Sequence, residues 1–314
     1  MVTITYHELS TLTNDLGFSA RALYAASNNI EKHYRKIKIP KHNGGERELS
    51  VPDRFLKAIQ KRIVPKLLCY EEVSPHATAY RYGGSTVKNA RPHLGQPMIL
   101  KLDIRHFFDS IIYPMIKDKV FPKERYSECN RILLSLLCSY EGRLPQGAPT
   151  SPFISNIVMR DFDDAVGTWC LNKNIRYTRY CDDMTFSGNF CAEEVIDFVK
   201  NKLSEMGFFL NSKKTVVAHD GQQKNVTGIV VNEKLSISQK YRKDIRRSLY
   251  YCKKYGVKSL LEHQNLTIPE EVYLQKLLGK INYVLAVNPA DNEMHKYRNL
   301  IIEKVQKQKG GFKI

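Results

Sequence analysis

The chain has 314 residues, 42% of them hydrophobic, and a formal net charge of +17. Its apolar share supports a substantial core and excludes a disordered chain, and its length suits one large domain or two to three closely packed subdomains. No run approaches the roughly 18–20 apolar residues of a membrane span, and a surface of this sign attracts polyanions, nucleic acid above all.

Residues 1 to about 40 carry helical periodicity, with Leu9, Leu12 and Leu16 on one stripe and Leu23, Ala26 and Ile30 on another. The first residues lack a basic and apolar leader pattern, so no secretion signal is expected. Seven cysteines at irregular spacing, with no C-x-x-C pair, predict neither a disulfide framework nor a zinc site. A reducing cytoplasm is the expected setting.

Residues 35–52 predict a basic hairpin. Ile37 and Ile39 lead into His42-Asn43-Gly44-Gly45, and Arg47, Leu49 and Val51 return, with Pro52 as a stop. Residues 55–68 predict an amphipathic helix with Leu56, Ile59, Ile63 and Leu67 inward and Lys57, Lys61, Arg62 and Lys66 outward. Residues 80–85 form a Gly-rich loop with aromatic and basic neighbours. Residues 98–104 read as a buried strand ending in Asp103, and residues 131–138 as a Leu-rich helix. After the Pro-rich segment 144–152 comes a helix with Ile154, Ile157, Val158 and Phe162 as its stripe.

Residues 175–186 predict two strands around a tight turn at Cys181-Asp182-Asp183, and residues 193–206 a helix that Gly207 ends. Strands are expected at 215–218 and 226–231. The remainder reads as helical and basic: residues 240–314 hold 16 Lys and Arg against 7 Asp and Glu. In 238–255, Tyr241, Ile245, Leu249 and Cys252 share one face. Lys240, Lys243, Arg247 and Lys254 share another, beside Tyr250 and Tyr251. A basic helix with aromatic neighbours suits tracking of a nucleic-acid backbone.

Three acids stand out. Asp103 closes the apolar run Ile99-Leu100-Lys101-Leu102-Asp103-Ile104, where a lone carboxylate costs free energy unless paired or metal-bound. Asp182 and Asp183 are adjacent at a hairpin tip. Two carboxylates about 4 Å apart repel by about 4 kcal/mol at an effective dielectric near 20. A divalent cation removes that repulsion, and few hard oxygen ligands suit magnesium, which takes its others from water and substrate phosphates. Two such ions can serve an in-line displacement at a nucleotide. The other acidic cluster, Asp161, Asp163 and Asp164, is expected on a mostly solvated helix face.

Motifs around these acids resemble those of reverse transcriptases. Leu102-Asp103-Ile104-Arg105-His106-Phe107-Phe108 resembles motif A, and Leu144-Pro145-Gln146-Gly147-Ala148-Pro149-Thr150-Ser151-Pro152 resembles motif B. Tyr180-Cys181-Asp182-Asp183 is similar to motif C, usually Tyr-Ala-Asp-Asp, from which Cys181 departs. Gly207-Phe208-Phe209-Leu210-Asn211-Ser212-Lys213-Lys214-Thr215 resembles motif D. Asn89-Ala90-Arg91-Pro92-His93 and Val226-Thr227-Gly228 resemble two elements of the retron enzymes.

The resemblance implies an α+β right-hand polymerase with an antiparallel palm sheet and a helical, basic thumb. Fingers are expected at 1–97, palm at 98–232 with an inserted fingers segment at about 115–145, and thumb at 233–314. It implies Asp103, Asp182 and Asp183 as catalytic acids holding two Mg2+ ions, with Mn2+ as substitute and the Ile104 backbone carbonyl as a further ligand. Phe108 would be the sugar gate that excludes a 2′-hydroxyl. Gln146 and Gly147 would line the nascent base pair, Gly147 by allowing close backbone approach. Lys213 or Lys214 would meet the triphosphate, with Arg47 and Arg81 as further triphosphate candidates.

Asn89, His93, Val226, Thr227 and Gly228, together with Lys240, Lys243, Arg247 and Tyr250, are the implied RNA contacts. The implied substrates are dNTPs and a cognate structured noncoding RNA that is both template and primer. Synthesis would start from an internal guanosine 2′-hydroxyl and give a short RNA-linked single-stranded DNA (msDNA). A separately encoded effector in antiphage defence is the implied protein partner, and no membrane partner is implied. The competing expectations are a group II intron-like or abortive-infection enzyme and a non-catalytic RNA-binding scaffold.

Overall fold

The structure, a computed structural model, describes residues 4–40 and 44–310. In chain order it forms α1 (Leu9–Leu16), α2 (Ala20–Asn28), β1 (Tyr34–Pro40), β2 (Glu46–Pro52), α3 (Arg54–Ile63), α4 (Thr86–Ala90), β3 (Met98–Asp103), the short α5 (Phe107–Ser110) and α6 (Tyr113–Met115), and α7 (Glu128–Cys138). There follow α8 (Ser151–Val158), α9 (Arg160–Asn172), β4 (Arg176–Tyr180), β5 (Asp183–Gly188), α10 (Ala192–Glu205), β6 (Val216–Ala218), β7 (Asn225–Val226), β8 (Ile229–Val230) and β9 (Ser236–Ile237). Helices α11 (Gln239–Lys254), α12 (Gly256–His263), α13 (Glu270–Val287) and α14 (Asn292–Gly310) complete it. No helix among the described residues is long and apolar enough to cross a membrane.

The chain divides into two compact units, Met1–Ser85 with Met98–Val217, and Thr86–Pro97 with Ala218–Ile314. Residues 86–97 thus group with the C-terminal part, whereas the expected first boundary stood at residue 97.

The first unit is built on a four-stranded sheet of order β4-β5-β3-β6, with β3–β5 and β4–β5 antiparallel. Strand β3 is buried along nearly its whole length, as its continuous apolar run demands. Leu100, Leu102, Met184 and Phe186 join one core with Ile154, Val158 and Phe162 from the helices. Each such side chain contributes about 1.5–3 kcal/mol through burial. The basic hairpin is present as β1 and β2, in register from Tyr34 opposite Pro52 to Pro40 opposite Glu46. Its expected tip residues His42 and Asn43 lie outside the described residues. Helix α3 starts where the Asp53 carboxylate accepts from the Leu56 amide. It buries Leu56, Ile59 and Ile63, and gives way to a wider turn at Val64–Leu68, where Pro65 cannot continue the ladder.

In the second unit the expected strand at 226–231 is a tight hairpin. Val226 pairs with Ile229, and Thr227 and Gly228 between them both have positive φ (+47° and +84°). That is the twist a two-residue hairpin turn requires. Helix α11 starts at the Ser238 hydroxyl, which accepts from the Tyr241 amide. It buries Ile245 and Cys252. Arg242 pairs with Asp291 and Glu293, and Arg246 with Glu293, which ties α11 to the start of α14.

Candidate active site

Strand register brings the acids together. Asp183 opens β5 and stands opposite Asp103 of β3 on one side and Tyr180 of β4 on the other. Directly paired Cβ atoms in such a ladder lie about 4.5–5.5 Å apart. The turn before β5 places Cys181 in the left-handed region (φ +63°). The Asp182 carbonyl then accepts from the Ile104 amide at 3.1 Å, so the turn is stitched to the end of β3.

A second loop closes over the same strand end. Helix α10 stops at a Schellman motif, with Gly207 donating to Ser204 and Phe208 to Leu203. Gly207 takes φ +77°, and Phe208 is buried within 6.3 Å of the Phe107 ring centroid. The chain then runs beside β3: Arg105 donates to the Phe209 carbonyl and Asn211 to the Asp103 carbonyl. This carries the Asn211 amide to 3.2 Å and the Lys214 ammonium to 2.7 Å from the Asp103 carboxylate. Lys213, one residue earlier, has no such contact among the hydrogen bonds of this loop. Of the two lysines, Lys214 is therefore the one that reaches the acids.

These groups line a cavity of about 710 Å³ together with Arg47, Tyr80, Ile104, Arg105, Phe108 and Gln146. Phe107 enters the core, while Phe108 stays half-buried against it, ring centroids 5.5 Å apart. Gly147 adopts φ +132°, and a Cβ there would meet the Ser50 carbonyl oxygen at 2.7 Å. Only glycine lets this loop approach β2 closely enough for Ser50 to donate to the Gln146 carbonyl at 2.8 Å. Arg81 is not in the cavity wall. Its guanidinium donates to the Ser74 and Ala77 carbonyls and holds its own loop.

The electrostatics favour a cation. Asp103 is only 4% exposed, yet its carboxylate carries one ammonium contact and one amide contact. Asp183 reaches the cavity surface but sits in a concave wall. That desolvation, then repulsion from Asp182 and Asp103, pushes its carboxyl up to about 6. The hydrogen bond to Asp103 raises the Lys214 ammonium, which stays charged. Among the described residues no three His, Cys, Asp or Glu side chains stand ready as a metal cage. The donor set still fits magnesium, which needs one or two protein carboxylates and completes its shell with water and substrate phosphates.

The buried supports were not foreseen. Asp163, expected on a solvated face, is fully buried and pairs with the equally buried Arg179 at 2.6 Å. Its spacing to Val166, Gly167 and Cys170, all buried, was the signal for an inward position. Asn89, His93 and Val226 are likewise buried. The resemblance implied RNA contacts for them, whereas their side chains are enclosed by protein. The Asn89 side-chain amide donates to the Thr227 hydroxyl, and that hydroxyl donates to the Thr86 carbonyl oxygen, each at 3.4 Å. Gly228, by contrast, is exposed, and Thr227 is half-buried. Lys240, Lys243, Arg247 and Tyr250 are exposed along one stripe of α11, where Lys254 also stands over the Tyr250 ring.

The chain matches the family described as "Reverse transcriptase (RNA-dependent DNA polymerase)" over residues 39–232. It is 32% identical over 298 residues to the retron Ec83 reverse transcriptase of Escherichia coli, covering 89% of this chain and 91% of that protein. It is 29% identical over 314 residues to the retron Ec86 reverse transcriptase of Escherichia coli, with 97% and 90% covered. The retron Mx65 reverse transcriptase of Myxococcus xanthus is 30% identical over 282 residues, and there the alignment covers 83% of this chain but 63% of the relative.

Proposed function

Since this chain belongs to the reverse transcriptase family, RNA-directed DNA polymerases, and to its retron type, we propose that it copies a structured noncoding RNA into DNA at the cavity of Asp103, Asp182 and Asp183. The observation that carries this reading is the register of β3, β4 and β5, which sets an acid at the end of one strand directly beside an acidic turn. Fingers (1–97), palm (98–232) and thumb (233–314) are the assignment that goes with it.

Asp103 and Asp182, with Asp183 and the Ile104 carbonyl, would hold Mg2+, or Mn2+ in its place. Bound there, the ions would supply activation of the attacking hydroxyl and neutralisation of charge on the pyrophosphate. The chain's own residues do the rest. Lys214 gives up its contact with Asp103 and turns to the triphosphate, where an ammonium can stabilise the leaving group or donate a proton to it. Arg47 adds a second positive charge from β2. Gln146 and Gly147 support the nascent base pair. The half-buried Phe108 ring lies under the sugar and leaves no room for a 2′-hydroxyl. Lys240, Lys243, Arg247 and Tyr250 track the nucleic-acid backbone, and Thr227 and Gly228 meet the cognate RNA.

With the retron assignment we also propose priming from an internal guanosine 2′-hydroxyl, an msDNA product, a cytoplasmic setting and a role in antiphage defence with a separately encoded effector. The test is DNA synthesis from dNTPs on RNA that co-purifies with the protein. Wild type gives a branched RNA–DNA product that denaturant does not separate, while Asp182→Asn binds the RNA and makes no DNA. Full synthesis by Asp182→Asn and Asp103→Asn would end the catalytic assignment. A product that denaturant separates from its RNA would end the priming assignment.

A further inference from the structure

We propose that the buried Arg179–Asp163 pair is a positioning device for the acidic turn, and that it sets how well Asp182 and Asp183 receive their cations. The inference rests on the catalytic reading of that turn.

Every nitrogen of the Arg179 guanidinium has a partner. Nε donates to Asp163 Oδ1 at 2.8 Å and Nη2 to Asp163 Oδ2 at 2.6 Å. Nη2 also donates to Asn156 Oδ1 at 3.2 Å, and Nη1 to the Cys181 carbonyl at 2.9 Å. Three of these contacts anchor the guanidinium to helices α8 and α9, and the fourth grips the turn. The anchors are fixed in their own right. The Asn156 amide donates to the Ala79 carbonyl and the Tyr177 hydroxyl to Asp163, each at 2.8 Å.

A fully buried ion pair is a poor device for stability, because apolar side chains of similar volume do as well or better there. What it provides here is a rigid donor at one atom, the Cys181 carbonyl oxygen. Cys181 needs such a grip. It is a buried L residue held at φ +63°, a conformation that relaxes unless its surroundings over-determine it. On the other side of the turn the Asp182 carbonyl is held by the Ile104 amide. The peptide units flanking Asp182 are thus clamped, one by Arg179 and one by β3, which leaves the carboxylate only its side-chain torsions. Loss of the Arg179 clamp frees the 181–182 peptide to rotate and carries the Asp182 carboxylate with it.

The full chain is tested as Arg179→Met/Asp163→Leu, which removes both charges, and as Arg179→Lys, which keeps charge without the planar fork. Near-ultraviolet circular dichroism and thermal melts establish which variants fold. Mn2+ binding is titrated by electron paramagnetic resonance without nucleic acid, and kcat and KM for dNTP are measured separately. A folded double variant should bind Mn2+ about tenfold more weakly, as supports of metal ligands do. Its kcat should fall about 100-fold, the scale of an ångström's misplacement, with KM for dNTP little changed. A folded double variant with wild-type Mn2+ affinity and kcat would reduce the pair to structure alone. If the double variant does not fold, Arg179→Lys decides. Its ammonium cannot chelate Asp163 and reach Cys181 together, so unchanged Mn2+ affinity overturns the proposal. Wild-type protein that neither binds Mn2+ nor makes DNA would instead remove the catalytic reading underneath.

Discussion

Gly147→Ala tests the nucleotide end of the cavity, and its cost follows from the backbone at Gly147 and its close approach to Ser50. At φ +132° the backbone lies where an L residue is strained by about 1–3 kcal/mol. The new methyl would stand 2.7 Å from the Ser50 carbonyl oxygen, so the loop and β2 must part by about 0.7 Å to restore ordinary contact. Ser50 cannot simply retreat, because its amide donates to the Gln146 carbonyl. Relief therefore weakens that bond, worth about 1 kcal/mol. The sum is about 3 kcal/mol, a drop of about 6–12 °C in melting temperature for a unit of this size. Gln146 shares the loop and lines the cavity. Its displacement should lower kcat/KM for dNTP on an RNA template by about 10- to 100-fold, beyond any loss of folded protein. Thermal unfolding and single-nucleotide extension read the two effects separately. Melting within about 2 °C of wild type, with unchanged incorporation, would refute the close-approach argument.

Phe108→Ala should raise ribonucleotide incorporation relative to deoxyribonucleotide, measured by competitive extension with rNTP and dNTP; unchanged discrimination would return Phe108 to the core beside Phe107. Lys214→Ala should lower kcat for nucleotide addition, whereas Lys213→Ala should leave it near wild type, because only Lys214 reaches Asp103; equal losses from both would show that the apo contact does not mark the working lysine. Glu293 is held at about 2, chiefly by its hydrogen bonds with Arg246, Tyr297 and Arg242. A depressed carboxyl stabilises the fold above its unfolded value and loses that contribution as pH falls, here from about 4.5 to about 2. Glu293→Gln should therefore cost about 1 kcal/mol at pH 7, allowing for solvent screening, and urea titrations should show the gap to wild type closing by pH 2–3; a gap that stays constant would remove the ion pairs as its source.

What could be read in the sequence was whatever depends on local pattern. The apolar run ending in Asp103 reads as a buried strand, and the acids at the 181–183 turn needed only hairpin periodicity. Which strands become neighbours was not local. Asp103 and Asp183 are 80 residues apart in sequence, and their pairing rests on motif order until the sheet supplies the register. Lys213 and Lys214 were inseparable for a similar reason. A single 3₁₀ turn, Ser212–Lys214, decides which of two adjacent side chains faces the acids, and neighbours in sequence carry no periodic signal of that choice. The hairpin at 225–230 hid inside an apolar run, although Thr227-Gly228 had the length of a two-residue turn.

Asp163 departs furthest from its expected solvated face, because its position on the apolar stripe outweighs its charge. Its place on the stripe with Val166 and Cys170 already pointed inward, and Arg179, in strand β4, is the cation that meets it there. A charged residue on an apolar stripe has either a partner of opposite sign or a pressing need for one. Here the partner lies two residues before Cys181, so the same pairing that makes Asp163 tolerable in the core also reaches the acidic turn. The residues hardest to read from the sequence are those that touch no substrate and hold the ones that do.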